Sequence, residues 1–286
     1  MRIQGSSSND IYFKRWLTDM AYGPNFQNKL ITLPDYISQT HSLDDLISKV
    51  YPYPDLTRAI NNPSFFFKSA ILITRNDIVD ELNQKVLDLL PGEEITLHSA
   101  DIADTSNEEN DEVHQVSSEY LETLSPGNFP PAKLKLKRGC IIMFLRNTNP
   151  QIGLCNGTRL IVKEIGAYNL KVSVIKDTNE AGEQIELIPR IILSTLEGEY
   201  PFILSRKQFP VKLSFAMIIN KSQGQSFTNV GIDLQYPAFT HGQLYVALSG
   251  STNPNNIYVL HKTPEINFPE TENTIENIIY PELLLT

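Results

Sequence analysis

The chain has 286 residues, of which 41% are hydrophobic and 20% charged, and its formal net charge is −9. This length suffices for about two domains, and no apolar run approaches the roughly 18 residues that a membrane helix needs. The polar start lacks the apolar core of a signal peptide. Two cysteines, Cys140 and Cys155, favour a reduced intracellular protein and supply too few ligands for a structural zinc site.

Helix and strand patterns alternate in the first hundred residues. The spacing of apolar side chains predicts a helix over 11–20 and a second, shorter helix after the N-cap residue Ser42. The compact apolar run 70–74 predicts a buried strand, followed by a helix that begins near Asn76 and by a strand over 95–98. A strand, a tight polar turn and a helix form one α/β unit.

The pattern changes in the middle of the chain. Residues 101–114 are acidic and polar, which predicts an exposed loop. Short β-rich segments then follow at 134–136, 141–145, 159–165, 170–175, 185–188 and 191–193. Several short strands within about 80 residues predict a small β-barrel.

The α/β pattern returns after residue 209. A strand is predicted over 230–234, a helix with Thr240 as its cap, and a closing strand over 257–260. The patterns therefore predict two domains. One is a discontinuous α/β domain that comprises residues 1–132 and 210–286, and the other is a β-barrel inserted into it at residues 133–209.

The overall acidity argues against a nucleic-acid partner, but the charge is unevenly distributed. Residues 86–132 contain no Lys or Arg, whereas residues 133–221 contain about fourteen basic residues and about seven acidic ones. A locally basic surface on an acidic protein can still contact phosphates. The alternative, that these lysines only solvate strand faces, is equally compatible with the charges.

The segment from Phe215 to Phe227 carries the densest polar chemistry. An apolar stretch runs into Asn-Lys-Ser-Gln-Gly-Gln, which offers a lysine, a hydroxyl, amides and the backbone-permissive Gly224. Such a set can hold a phosphate through side-chain and backbone donors. From the residues alone, a polar helix end is the simpler interpretation.

Five segments in order resemble superfamily 1 helicases. Residues 215–227 are similar to their motif V, and Gly-Gln-Leu-Tyr-Val-Ala-Leu-Ser at 242–249 is similar to their motif VI. The other three resemble the strand-to-helix element of a second RecA-like domain, an SH3-like insert and a C-terminal strand, at 71–77, 134–160 and 275–280. The combination most resembles PIF-type (petite integration frequency, superfamily 1B) DNA helicases, including those of Helitron transposons.

The resemblance implies a fold and an activity. The fold is a second RecA-like, P-loop-NTPase-type α/β domain with an inserted SH3-like β-barrel. In the family, two RecA-like domains close on ATP and move 5′ to 3′ along single-stranded DNA. The chain is therefore expected to be the C-terminal half of an ATP-dependent helicase, with single-stranded DNA and a first RecA-like domain as partners, no membrane, and a nuclear rather than mitochondrial location.

The resemblance also implies roles for individual residues. The implied DNA contacts are Thr74, Arg75, Asn76, Lys135, Lys137, Arg146, Lys221, Ser222 and Gln223. The implied nucleotide contacts are Gly224, Gln225 and Tyr245, with Arg2 and Gln243 on the γ-phosphate side. Simpler roles stay open for three of these residues: helix capping for Asn76, helix packing for Tyr245, and an exposed terminal position for Arg2. The histidines have no ligand spacing, so no metal site is predicted.

Two departures from the family pattern limit the expected activity. The sequence contains no G-x-x-x-x-G-K-[ST] phosphate loop, and Gly250 stands where motif VI continues with the arginine finger. ATP and Mg²⁺ therefore belong to the complete enzyme, and neither is expected to bind tightly to this chain alone. The alternatives are a non-catalytic nucleic-acid-binding remnant of a transposon helicase and a protein-interaction module.

Overall fold

The computed structural model describes residues 5, 7–22, 30–59, 68–104, 116–175, 184–261, 274–278 and 280. The chain divides into two compact units. Unit 1 comprises Met1–Leu89 and Phe215–Thr286, and unit 2 comprises Leu90–Ser214. None of the helices in the described residues is both long enough and apolar enough to cross a bilayer.

Six α-helices lie in the described residues. They are α1 (Ser8–Tyr22), α2 (Leu43–Val50), α3 (Tyr53–Ala59), α4 (Asn76–Leu89), α5 (Ser118–Thr123) and α6 (Gln243–Ser249). Short 3₁₀ turns cover Pro150–Ile152, Ile219–Ser222 and Pro254–Asn256. The predicted cap of α2 is confirmed, because the Ser42 hydroxyl accepts a hydrogen bond from the Asp45 amide at 3.1 Å.

Seventeen strands lie in the described residues. They are β1 (Leu30–Thr32), β2 (Ser38–Thr40), β3 (Ser69–Ile73), β4 (Ile95–His98), β5 (Ala100–Asp104), β6 (Lys133–Leu136), β7 (Ile141–Phe144), β8 (Arg159–Ile165), β9 (Asn169–Val174), β10 (Ile185–Pro189), β11 (Ile191–Ser194), β12 (Ile203–Gln208), β13 (Val211–Leu213), β14 (Ala216–Ile218), β15 (Asn229–Leu234), β16 (Ile257–His261) and β17 (Thr274–Glu276).

Unit 1 contains a five-stranded, all-parallel sheet in the order β14-β3-β15-β16-β2. Every residue of β3 is buried, as expected for a strand covered on both faces of a parallel sheet. Helix α4 packs on β3 and β14, and α2 packs on β15, β16 and β3. Strands β1 and β17 form a separate antiparallel pair.

Two buried polar side chains hold the start of β14 in unit 1. Asn83 of α4 accepts hydrogen bonds from the amides of Phe215 and Ala216 and donates to the Ala216 carbonyl, at 2.8–3.0 Å. The Tyr51 hydroxyl donates to the Phe215 carbonyl at 2.7 Å and lies 3.1 Å from the Ser69 carbonyl. Tyr51 therefore marks the amino edge of the sheet, where β3 and β14 begin.

Unit 2 is built from antiparallel sheets. Their strand orders are β10-β9-β8-β7-β13, β11-β12-β5 and β4-β6. The predicted strands between residues 134 and 193 are confirmed as strands, but they are distributed over all three sheets. The SH3-like barrel over 133–209 stays a prediction, and unit 2 is wider than that range because β5 pairs with β12 and β4 pairs with β6.

The prediction of an exposed loop over 101–114 is wrong at its start, because Asp101–Asp104 belong to β5. The Asp101 carboxylate receives three hydrogen bonds of 2.7–3.1 Å from the fully buried guanidinium of Arg206. The same guanidinium donates to three main-chain carbonyls, those of Leu121, Leu124 and Pro130. Residues 105–114 lie outside the described residues.

The predicted cap of α6 is also wrong. The helix begins at Gln243, and its N-cap is Gly242, which has a left-handed backbone with φ of 68°. The Thr240 carbonyl accepts a hydrogen bond from the Gln243 amide at 3.2 Å, so a turn separates Thr240 from the helix. The strands predicted over 230–234 and 257–260 are confirmed.

Candidate nucleic-acid interface

The carboxyl edge of the parallel sheet in unit 1 brings together several of the predicted site residues. Thr74, Arg75 and Asn76 follow β3, and the turn Ile219–Ser222 follows β14, its neighbour in the sheet. Because parallel strands end at the same edge, the two segments lie side by side. The loop that begins at Gln235 follows β15, the other neighbour of β3, and reaches the same edge.

Hydrogen bonding fixes the turn after β3. The buried Thr74 donates its hydroxyl to the Tyr236 carbonyl at 3.0 Å, which ties this turn to the loop after β15. Asn76 is the first residue of α4, and its role as the helix cap stays a prediction. Thr74 thus positions the edge through its hydroxyl, and Asn76 lies at the exposed end of α4.

Arg75 is the exposed cation of this turn. Its guanidinium forms an ion pair with Asp77 and lies over the Tyr236 ring, with 4.4 Å from the guanidinium carbon to the ring centroid. The hydrogen bond between the two side chains raises the pKa of Arg75 and lowers the pKa of Asp77. Arg75 therefore forms a cation–π contact with the Tyr236 ring.

The segment after β14 folds on itself. The Ser222 hydroxyl is buried and donates to the Ile219 carbonyl at 2.6 Å, and the Gln225 side-chain amide donates to the Lys221 carbonyl at 3.2 Å. Gly224 has φ of +94°, a conformation that favours glycine. Lys221 is half-buried and Gln223 is exposed, so Gln223 offers the accessible side chain of the predicted trio 221–223.

The segment 215–227, which resembles motif V, contacts the residues that directly follow the motif VI-like segment 242–249. The Phe227 amide donates to the Gly250 carbonyl at 2.9 Å, and the Thr252 amide donates to the Phe227 carbonyl at 2.8 Å. A Cβ added to Gly250 would approach no heavy atom closer than 3.6 Å, and its φ of −69° suits any residue. Neither the backbone nor the packing therefore requires glycine at this position.

The residues of α6 differ in their accessibility. Gln243 is buried, and its side-chain oxygen accepts a hydrogen bond from the Phe239 amide at 3.0 Å. This hydrogen bond joins the loop before α6 to the first residue of the helix, so the Gln243 side chain stabilises the local fold. Tyr245 is half-buried on the same helix.

Asp233 near the end of β15 is a buried carboxylate that the sequence patterns did not single out. One carboxylate oxygen accepts a hydrogen bond from the Gln235 amide at 2.9 Å, and the other has no partner among the described residues. Burial raises the pKa of Asp233. The sequence did contain a signal for this residue, because an acidic side chain within the apolar strand predicted over 230–234 is unusual.

The loop after β15 also carries two exposed aromatic residues that the sequence analysis missed. Tyr236 is 42% exposed and Phe239 is 57% exposed. Their signal in the sequence was weak, because isolated aromatic residues after a predicted strand occur in many loops. Their importance depends on the position of the loop at the carboxyl edge.

The predicted DNA contacts in unit 2 have different surroundings from one another. Lys135 forms an ion pair with Glu94 at 3.3 Å and is partly exposed, and Arg146 is half-buried. The Lys137 ammonium is buried and donates to the Leu90 carbonyl at 2.7 Å. Burial argues against a DNA contact by Lys137, so the basic face predicted along β6 is smaller than its sequence indicates.

The described residues do not fit a complete site for ATP and Mg²⁺. The sequence from Gly242 to His261 contains no Lys or Arg that could face the phosphates. No group of three or more His, Cys, Asp or Glu side chains suited to a metal ion occurs in the described part of the chain. Arg2, predicted on the γ-phosphate side, lies outside the described residues.

The sequence is similar to known helicases. A family model described as DNA helicase Pif1, 2B domain, matches residues 119–165. The chain is 31% identical over 195 residues to the ATP-dependent DNA helicase PIF1 of Xenopus laevis, a match that covers 68% of this chain and 28% of that protein. The chain spans about a third of the length of the curated relatives it matches.

Solved structures share the fold. The Pif1 helicase of Candida albicans matches with a TM-score of 0.61 and 19% identity, covering 97% of this chain and 57% of that chain. The Bacteroides Pif1 helicase in complex with ADP-AlF3 and ssDNA matches with a TM-score of 0.55 and 19% identity, covering 99% of this chain and 53% of that chain.

Proposed function

The chain belongs to the PIF-type DNA helicases and corresponds to a C-terminal part of such an enzyme, and on this premise we propose that unit 1 binds single-stranded DNA along the carboxyl edge of its parallel sheet. The observation that carries the proposal is the adjacency of the turn 74–76 and the segment 219–225 at that edge. A structural relative with the same fold was solved with single-stranded DNA.

Salt-dependent binding tests this proposal. Fluorescence anisotropy with a labelled oligothymidine should show an affinity that falls as salt rises, because phosphate contacts release counterions. Arg75→Ala and Lys221→Ala should each weaken binding and lower the slope of log K against log salt by about 0.7. Lys85→Ala is the matched control, since Lys85 is an exposed lysine on α4 that pairs with Glu81.

Two results would reject the proposal. One is the absence of binding at low salt. The other is an affinity that the double variant Lys221→Ala/Lys135→Ala leaves unchanged, because these lysines represent the predicted contacts of units 1 and 2. Either result would favour a protein-interaction module. One observation supports that alternative: Ile102 of β5 and Ile192 of β11 are each about two-thirds exposed on one face of the same sheet.

We also propose that the chain contributes one side of an ATP cleft, through Gly224, Gln225 and Tyr245, and that alone it lacks ATPase and unwinding activity. The absence of a phosphate loop from the sequence and the glycine at position 250 support this. An arginine finger is worth about 10³–10⁵ in rate. A Cβ at Gly250 meets only ordinary van der Waals contacts, so the backbone at this position does not itself exclude a side chain.

A fusion to a competent first RecA-like domain tests the cleft. DNA-stimulated ATPase should be slow with Gly250 and should rise by orders of magnitude with Gly250→Arg. Gly250→Gln is the matched control, because it adds a long polar side chain without the charge. If the glycine form is as fast as the arginine form, the cleft assignment fails.

The direction of movement and the cellular location follow from the family and stay proposals. The Gly250→Arg fusion should unwind duplexes with a 5′ single-stranded tail and leave those with a 3′ tail intact. A fluorescent fusion of the chain should be nuclear rather than mitochondrial. A remnant of a transposon helicase would bind DNA but would gain no ATPase in the Gly250→Arg fusion.

A further inference from the structure

We propose that Tyr236 and Phe239, with the Arg75 guanidinium, form a stacking platform for the bases of single-stranded DNA. This inference rests on the proposed DNA-binding function and adds to it a contact with nucleobases rather than phosphates. The observation that carries it is the position of two exposed aromatic rings in one anchored loop at the carboxyl edge of the sheet.

The loop is fixed at both ends by hydrogen bonds. At its start, the Gln235 amide donates to the Asp233 carboxylate and the Tyr236 carbonyl accepts from the Thr74 hydroxyl. At its end, the Phe239 amide donates to the Gln243 side chain. The rings are therefore presented by a fixed backbone, and a ligand that contacts them does not have to order the loop first.

The loop turns its small residue inward and its large ones outward. Ala238 is 2% exposed, whereas its neighbour Phe239 is 57% exposed. Phe239 is also the most exposed phenylalanine among the described residues. A phenylalanine buries about 150–250 Å² when it is packed in a core, so the exposed Phe239 ring keeps most of that apolar surface available for a ligand.

Charge distinguishes a nucleic-acid ligand from an apolar one. The Arg75 guanidinium lies 4.4 Å from the centroid of the Tyr236 ring, so a planar cation already covers part of this ring. Guanidinium planes and aromatic rings are both surfaces on which single-stranded bases stack. An apolar protein partner would have to desolvate this cation, whereas a nucleotide offers it a base face and a nearby phosphate.

The test compares two oligonucleotides with the same phosphates. One is an oligothymidine, and the other carries abasic sites in place of the bases. Tyr236→Ala and Phe239→Ala should each weaken oligothymidine binding by roughly tenfold, the scale of one stacked base, and leave binding to the abasic oligonucleotide unchanged. Tyr236→Phe should retain the wild-type affinity, because the ring is kept.

Tyr53→Ala is the matched control, since Tyr53 is 64% exposed in the same unit and follows Tyr51 at the opposite edge of the sheet. Photocrosslinking of the wild-type chain to an oligonucleotide with 5-iododeoxyuridine should modify residues 235–240. This second measurement holds even if an alanine variant misfolds, which the emission of Trp16, the single tryptophan, reports.

The outcomes separate the platform from the DNA-binding proposal. Equal affinity for both oligonucleotides, with no crosslink in 235–240, overturns the platform and leaves phosphate binding intact. Absence of binding to both oligonucleotides overturns both proposals. A preference for the oligothymidine that falls about tenfold in Phe239→Ala and about tenfold in Tyr236→Ala, together with the crosslink, establishes base stacking at this loop.

Discussion

Replacing Arg206 with methionine should destabilise unit 2 by about 3–5 kcal/mol. Arg206 is fully buried, and the Asp101 carboxylate that it pairs with is 5% exposed. In the variant, this carboxylate would stay buried without its cation. The loss corresponds to roughly two to four orders of magnitude in the opening equilibrium of the unit.

A second variant separates two contributions of Arg206 to the stability of unit 2: its ion pair with Asp101 and its hydrogen bonds to main-chain carbonyls. The guanidinium also donates to the carbonyls of Leu121, Leu124 and Pro130 at 2.9–3.1 Å. The double variant Arg206→Met/Asp101→Leu removes both charges but leaves those carbonyls without this donor. It should therefore be more stable than Arg206→Met alone, because no charge is left buried, and still less stable than wild type, because the carbonyls keep no donor from residue 206.

Hydrogen exchange measured by mass spectrometry suits this prediction, because a chain with two units need not unfold in one step. Peptides covering β5 and β12 should exchange faster in Arg206→Met, whereas Lys207→Met, an exposed neighbour on the same strand, should match wild type. If Arg206→Met lowered the opening free energy of unit 2 by less than about 1 kcal/mol, the buried ion pair would not stabilise the unit as predicted. A double variant that is no more stable than Arg206→Met would also contradict the prediction.

Two further predictions concern buried ionisable groups. Because burial raises the pKa of Asp233, its stabilising contribution is complete below the unfolded pKa of about 4 and is lost as pH rises through the folded pKa. Asp233→Asn should therefore flatten the decline of unit 1 stability as pH rises above about 4, measured by Trp16 emission in urea, and an unchanged slope would contradict this. Burial raises the pKa of Cys140 to about 12, so iodoacetamide at pH 8 should modify Cys155 alone in the folded chain and both thiols in urea. Double modification of the folded chain would contradict this.

Local patterns were sufficient to predict most of the regular structure. The apolar run before Thr74 identified β3, and the Ser42 hydroxyl identified the start of α2, because both depend on neighbours in sequence. The start of β5 was missed because Ala-Asp-Ile-Ala-Asp resembles an acidic loop until its partner is known. That partner, Arg206, is 105 residues away, and no local pattern connects the two.

The candidate site was predictable where it follows strands and less so where it depends on packing. Thr74 and Arg75 lie at the carboxyl edge because they follow a buried parallel strand. Lys137 alternates with apolar residues just as Lys135 does, yet its ammonium lies inside unit 2 on a main-chain carbonyl. Tyr236 and Phe239 became informative only when the strand order placed their loop beside β3.

The interruption of unit 1 by unit 2 has a consequence for synthesis of the chain. Unit 2 is one continuous segment, Leu90–Ser214, so all of its strands are available as soon as that segment has left the ribosome. Strand β3 emerges earlier, but both of its neighbours, β14 and β15, follow unit 2 in sequence. Strand β3 cannot pair with β14 or β15 until the whole of unit 2 has been synthesised, and pairing of strands that are distant in sequence is slow. During that interval the apolar surface of β3 is expected to be prone to aggregation unless a chaperone covers it.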